Sequence, residues 1–420
     1  MFTMLPLQSL GIDYKSINHK GIPFHHFQRK GAPLYIRIMI RAGSRYDEKS
    51  GAAHFLEHML CAGTKKFPSK DLIAEYIENI GGMFSLSTDN EFIRINVEVA
   101  EEKDLPAAIT VIDEMINNPL FDSKTLETER GSILSEYTGK KANQKEFVWV
   151  VYRRLFFQKT DMEKITLGTP DSIKSISAKD LISFKEKYFR RENIKVISAG
   201  DIDIEKIANE LEKVFPNFVE QKKKTRPRLP IFRDKDFDIE IYPSRQASIF
   251  VGFRTNLMTL KDQICADICA NYLGDGRSSL LNNELRYKRG LVYSTFSFMQ
   301  NHEDCGAFGV RTDCEVEKYK DVISTIDLVL ENFKKEGISL DKLSNVKSKI
   351  IKSSIIKLQT SENLVSRSDR IAAAFNEQSI DSYLSRLKEI TAKDIKTYID
   401  NNLKDEWHYT AVCGPKSIVK

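Results

Sequence analysis

Ile176-Ser177-Ala178-Lys179-Asp180-Leu181 recurs further along the chain as Ile390-Thr391-Ala392-Lys393-Asp394-Ile395. The offset is 214 (390 − 176). In each copy a helix start leads into an amphipathic segment and then a β run. Those runs end at Gly200 and Gly414, again 214 apart. Two markers with no net insertion between them indicate a duplication. A second echo pairs Leu126 with Leu343, each early in a long helical segment, at an offset of 217 (343 − 126).

Outward from these markers, each half reads as α+β. In the first, Leu34 to Arg41 is expected as a strand and Gly51 to Cys61 as a helix. Ser69 is placed to cap another helix that stops before Gly81-Gly82. Met83 to Thr88 and Phe92 to Val99 alternate polar and apolar residues, as half-buried strands do. Helical patterns follow from Leu105 to Asn117 and from Ser123 to about Phe157, then a strand from Ile194 and a helix from Ile204. The second half repeats this grammar. Strands are expected at Phe237 to Tyr242, Ser248 to Arg254, Val292 to Met299 and Gly306 to Arg311. A helix is expected at Asp262 to Leu273, and long helices from Glu315 to about Phe375. The stretch Val219 to Asp236 is rich in charge and proline and reads as a connector. The expected division is therefore an N-terminal domain over 1–220, a linker over 221–236 and a C-terminal domain over 237–420. Each is a mainly antiparallel sheet packed against helices.

Composition narrows the function. Of 420 residues, 41% are hydrophobic and 29% charged, the balance of a globular protein with a real core. No apolar run of eighteen or more residues marks a membrane span. The first twenty residues lack the charged start and apolar centre of a secretory signal, which points to the cytoplasm. The six cysteines are scattered with no C-x-x-C pair, so a cysteine-rich zinc ribbon is excluded; Cys265 and Cys269, one helical turn apart, read as small core residues. A net charge of +5 on a chain this long is modest, and the basic cluster from Lys222 to Arg228 has prolines and no interleaved aromatics. It reads as a solvated linker rather than a nucleic-acid surface.

The chemistry concentrates in His54-Phe55-Leu56-Glu57-His58. Residues four apart share a helix face, so His54 and His58 can both point an imidazole at one metal. Glu57, rotated to the edge of that face, can reach a metal-bound water without ligating the metal. This is the inverted form of the zinc-protease motif. A third ligand is needed, and Glu129 and Glu136, two turns apart on the helix beginning near Ser123, are both candidates. Spacing does not choose between them; the other can orient an imidazole by accepting its second N–H. His25 and His26 cannot share a helix face and read as surface or edge residues, as do His19, His302 and His408. Cys61 reads as a packed thiol.

Gly43-Ser44-Arg45, Ala53-His54-Phe55-Leu56-Glu57-His58-Met59 and Gly63-Thr64 resemble the pitrilysin and insulinase family of inverted zinc peptidases. The branch that includes mitochondrial processing peptidase and its bacterial relatives is the most similar. Leu126 to Glu136, Gly168-Thr169-Pro170 and Gly200-Asp201 extend the likeness over nearly the whole chain. In the family pattern the ligand lies seven residues after the glutamate of the Glu-Arg pair. The resemblance thus implies Glu136 as ligand and Glu129 as the carboxylate behind an imidazole. It also implies that Arg286 and Tyr293 contact substrate and the developing oxyanion. The second half lacks the histidine motif, and the 217 offset puts Ser353 where Glu136 would be. Only the first half is expected to bind metal.

By the same resemblance the protein is expected to be a zinc metalloendopeptidase with one zinc per chain. It would cleave peptides or short unfolded segments enclosed in a chamber, with Glu57 as general base. Because one chain carries both the zinc motif and the Arg286–Tyr293 pair, a homodimer with sites completed in trans is expected, or pairing with a related subunit. The family commonly places an Asn-Ala step where this chain has Ser85-Leu86, so side-chain specificity near the cleaved bond is expected to differ. A non-catalytic scaffold subunit is the rival reading. A processing peptidase dedicated to one precursor is a narrower form of the first.

Overall fold

A computed structural model describes residues 6–215, 227–256, 259–374 and 379–419. The chain divides into two compact units, each a sheet packed against helices. The first sheet contains β1 (Asp13–His19), β2 (Ile22–Gln28), β3 (Leu34–Ile40), β4 (Met83–Thr88), β5 (Ile93–Val99) and β6 (Ile194–Gly200). Its order is β1-β2-β6-β3-β5-β4. The second contains β7 (Phe237–Ile241), β8 (Gln246–Thr255), β9 (Val292–Asn301), β10 (Gly306–Glu315) and β11 (His408–Gly414), in the order β7-β11-β8-β10-β9. With β1 set aside, the two orders match strand for strand. Each also has one parallel pair, β2 with β6 and β7 with β11. β6 and β11 keep the first repeat offset at both their starts and their ends. The duplication is thus visible in the topology.

The repeated segment forms the same device twice. Ser177 and Thr391 cap their helices, each in a reciprocal capping box with Asp180 or Asp394. Each aspartate also pairs with a lysine at the start of another helix, Lys49 at 2.7 Å and Lys261 at 2.5 Å. Lys49 precedes the Ala52–Ala62 helix and Lys261 opens the Leu260–Gly274 helix, so these two helices occupy like places in the repeat.

In the first unit, Leu34, Ile36, Ile38 and Ile40 of β3 and Ile93, Ile95, Val97 and Val99 of β5 face one core. That core is closed by the Ala52–Ala62, Leu105–Asn117, Ala178–Tyr188 and Ile204–Glu212 helices. Each such side chain contributes about 1.5–3 kcal/mol on burial. Tyr35, Arg37 and Met39 point to the opposite face and are buried as well.

The units are not contiguous in sequence. The first takes Met1–Thr138, Lys164–Thr225 and Ile355–Arg370; the second takes Gly139–Glu163, Arg226–Ser354 and Ile371–Lys420. A division at 1–220 and 237–420 therefore differs from them at two exchanged helices. Gln144–Phe156 lies on the second sheet, where Tyr152 and Phe156 pack with Phe250, Phe298 and Tyr409. Residues 361–370 of the Ser361–Ala374 helix belong to the first unit. The starts of these helices, Gln144 and Ser361, are related by the same offset as Leu126 and Leu343, so they are one element exchanged reciprocally. Of the expected linker, 221–226 lie outside the described residues, as does Phe375.

Two further expectations are corrected. The helix expected from Ser123 to about Phe157 is two helices, Ser123–Ala142 and Gln144–Phe156, because Asn143 leaves helical geometry and its side chain caps the second at the Lys145 N–H. The long helices expected from Glu315 onward are Tyr319–Glu336, Leu340–Lys357 and Ser361–Ala374. The other corrected expectation concerns His25 and His26, which lie in the interior on β2, 2% and 0% exposed. Strand neighbours face opposite sides, and β2 is buried on both. His25 Nδ1 meets the Tyr14 hydroxyl at 2.7 Å and His26 Nδ1 meets Ser198 Oγ at 2.9 Å.

Burial lowers both imidazoles to about 4, with Lys195 adding to the effect at His25. The folded pKa lies below the unfolded value of about 6.5. The unfolded chain therefore binds more protons between those values, and stability present at neutral pH is lost as pH falls from 6.5 to 4. Each histidine should cost about 3 kcal/mol across that window. Unfolding free energies measured at several pH values should show this slope, and a His25→Leu/His26→Ala variant should flatten it. An unchanged slope would remove these imidazoles as the acid trigger.

Candidate metal centre

The Ala52–Ala62 helix is held at its start by buried polar contacts. Asp47 accepts the Gly51 N–H at 2.7 Å and the Ala53 N–H at 2.9 Å. Gly51 has φ +93°, and a Cβ there would lie 2.8 Å from the Leu167 carbonyl oxygen. A Cβ on Gly168 would lie 2.4 Å from the Ser50 oxygen. Thr169 caps the short helix that follows, and Ser172 Oγ donates to the Ser50 carbonyl at 2.6 Å. Gly168-Thr169-Pro170 thus forms the seat on which the histidine helix begins.

His54 and His58 lie one turn apart, with ring centroids separated by 4.7 Å. The Ser123–Ala142 helix carries both glutamates to them. It is fixed by Arg130, which donates to the carbonyls of Ile173 and Ile176 and lies over the Phe55 ring. Glu136 Oε2 stands 3.5 Å from His54 Nε2 and 3.7 Å from His58 Nε2. Glu129 Oε2 lies 2.9 Å from His58 Nδ1 on the other side of the ring. One ligand atom from each of His54, His58 and Glu136 lies within 4.8 Å of the others. Among the described residues this is the one such group of three.

The donor set fits zinc. Two ligands at 2.0–2.1 Å from a tetrahedral zinc stand roughly 3.3 Å apart, close to the separations seen here. Electrostatics agree with a cation at this place. Burial alone would lower His58, but Glu129, Glu136 and Glu57 outweigh it and raise its pKa to about 9. The same carboxylates would favour a divalent ion. Glu129, bonded to Nδ1, fixes the ring so that Nε2 faces Glu136.

Glu57 does not join this group. Its Oε2 accepts from Thr88 Oγ1 at 2.7 Å, at the end of β4. Burial raises its pKa; the Thr88 bond and His58 oppose that rise, and Glu136 adds to it. Thr88 is the residue that motif reading missed, since nothing in its local sequence points to a helix so far back in the chain. Cys61 Sγ donates to the His58 carbonyl at 3.5 Å, and burial lifts its pKa to about 11, as suits a packed thiol.

Arg286 and Tyr293 lie in the second unit. Arg286 sits in a π-helical turn, Asn282–Lys288, a geometry often found at functional sites. Its guanidinium is 4.8 Å from the centre of the Tyr293 ring, which is 82% exposed on β9. Ser353 in that unit donates to the Ile350 carbonyl of its own helix.

A family model described as insulinase (peptidase family M16) matches residues 29–170, and one described as the peptidase M16 inactive domain matches 175–350. Together they span well over half of the chain, which belongs to the insulinase (M16) peptidase family. The chain is 27% identical over 369 residues to an uncharacterized zinc protease of Streptomyces coelicolor, covering 86% of this chain and 80% of that one. It is 24% identical over 412 residues to the beta subunit of the mitochondrial-processing peptidase of Dictyostelium discoideum, covering 94% and 87%. A solved protease from Helicobacter pylori superposes with a TM-score of 0.84 at 20% identity, over 96% of this chain and all of that one. A structure from Pseudomonas fluorescens described as a peptidase M16 inactive domain gives 0.86 at 18% identity, over 96% and 98%. The two-unit fold is shared with both.

Proposed function

We propose that this chain is a zinc metalloendopeptidase acting on peptides or short unfolded segments. The observation that carries the reading is the convergence of His54, His58 and Glu136, with Glu57 beside them but held off by Thr88. Zinc bound by the three ligands would act as a Lewis acid on a water and on the scissile carbonyl. Glu57 takes the proton of the attacking water and returns it to the leaving amine. Glu129 keeps the His58 ring from turning. β4 is last in its sheet order, so its outer edge can accept an extended peptide by strand addition. A peptide on that edge runs past Thr88 toward Glu57.

The reading gives Arg286 and Tyr293 the stabilisation of charge on the carbonyl oxygen. It takes the working form to be a cytoplasmic homodimer in which a second copy supplies that pair. An active monomer on gel filtration would remove the dimer from the proposal. Relatives named zinc proteases support the metal and the reaction class.

Metal removal tests the core of the proposal. The purified protein should hold about one zinc per chain and cleave a quenched peptide library. A chelator should abolish cleavage, and added zinc should restore it. Cleavage that survives complete loss of metal would refute the proposal.

A further inference from the structure

We infer that Thr88 is a positioning residue for proton transfer at Glu57, an inference that rests on the peptidase reading. A carboxylate acting as base has two oxygens that can take the proton. Here Oε2 is committed, since the Thr88 hydroxyl donates to it at 2.7 Å. Oε1 is left to the water. When the water oxygen bonds to the carbonyl carbon, its proton goes to Oε1. When the C–N bond breaks, the same proton goes from Oε1 to the amine nitrogen. With Oε2 occupied by a donor, the proton is not parked on the oxygen turned away from the substrate.

The geometry is braced from both sides. Glu57 rides on the helix anchored by Asp47. Thr88 closes β4 opposite Ile93 of β5. The next residue, Asp89, accepts the backbone N–H groups of Glu91 and Phe92 and the Arg94 guanidinium. Arg94 in turn holds Asp369, which is buried. The hydroxyl is therefore presented by a fixed turn.

The test pairs crystallography with kinetics on the full chain. Thr88→Val keeps the shape and removes the donor; Thr88→Ser keeps the donor. In crystals of the metal-free and zinc-loaded Thr88→Val protein, the Glu57 carboxylate should turn away from its wild-type position. With a quenched peptide, kcat should fall about 10- to 100-fold with KM and zinc content unchanged, the range for losing a hydrogen bond to a charged group. Thr88→Ser should keep most of the rate. Glu57→Gln/Thr88→Val should be no slower than Glu57→Gln alone, because the two act as a unit. A Glu57 side chain that superposes on wild type, with kcat within about twofold, overturns the inference. A wild-type protein that cleaves nothing removes the peptidase reading instead, and the crystal comparison still decides whether Thr88 places Glu57.

Discussion

Replacing Glu57 with glutamine will leave the metal in place and lower kcat about a thousandfold. The metal should stay because Glu57 is not among the three converging ligands. Its carboxylate faces Thr88 instead, and a glutamine oxygen can accept the same hydroxyl. The rate should fall because an amide cannot take a proton from water at neutral pH. Burial raises the Glu57 pKa, which moves it toward the operating range of a base that must later act as an acid. Zinc content and cleavage of a quenched peptide library would be compared between wild type and Glu57→Gln. Equal zinc with cleavage only in wild type supports both roles at once. Zinc in both with no cleavage in either turns the reading toward a scaffold subunit or a missing partner. Absence of metal from both would remove the ligand assignment on which the function rests.

The repeated segment carries the fold because a capping box and a buried strand leave local marks. Ser177 and Thr391 announce a helix start, and β6 is apolar enough to be recognised without knowing its neighbours. His54 and His58 are legible for a similar reason, since a spacing of four needs only one helix. What needs a partner is less legible. β1 alternates weakly, with Tyr14 and Ile17 as its apolar residues, and is secured by the hairpin to β2 through Lys20 and Gly21, both at positive φ. His25 and His26 look polar in sequence, but their burial depends on layers from distant parts of the chain covering both faces of β2. The Thr88–Glu57 contact joins a strand end to a helix, and no periodicity encodes it. Nor does the apolar stripe of a helix say which sheet will cover it, so the exchange of the Gln144–Phe156 and Ser361–Ala374 helices is invisible to local pattern.

That exchange has an energetic signature, and Asp369→Ala should expose it by costing about 3–5 kcal/mol. Asp369 accepts from Arg37 at 2.9 Å and from Arg94 at 2.6 Å, and all three side chains are about nine-tenths buried. Removing the carboxylate leaves Arg37 buried with its Nε on Asn96 and no anion, whereas Arg94 keeps Asp89. The equivalent place in the second unit is built differently. By the offset that relates the two helix starts, Asp369 corresponds to Tyr152. Arg37, paired with Ile197 of β6, corresponds to Phe250, paired with Ala411 at the like position of β11. Tyr152 and Phe250 pack with ring centroids 4.8 Å apart. One copy of the contact is ionic and the other aromatic, so neither helix suits the other sheet. Asp369 against Phe250 would face a ring in place of its two guanidinium partners, and Tyr152 against Arg37 would leave a guanidinium without its counter-charge. Urea unfolding followed by circular dichroism should show the loss in Asp369→Ala. An Arg37→Phe/Asp369→Tyr variant, which copies the aromatic contact, should recover part of it, because apolar replacement of a whole buried pair is often tolerated where removal of one partner is not. A loss below about 1 kcal/mol in Asp369→Ala would mean that the ion pair does not hold the helix. The choice between sheets would then rest on apolar shape alone, through Leu364 and Val365.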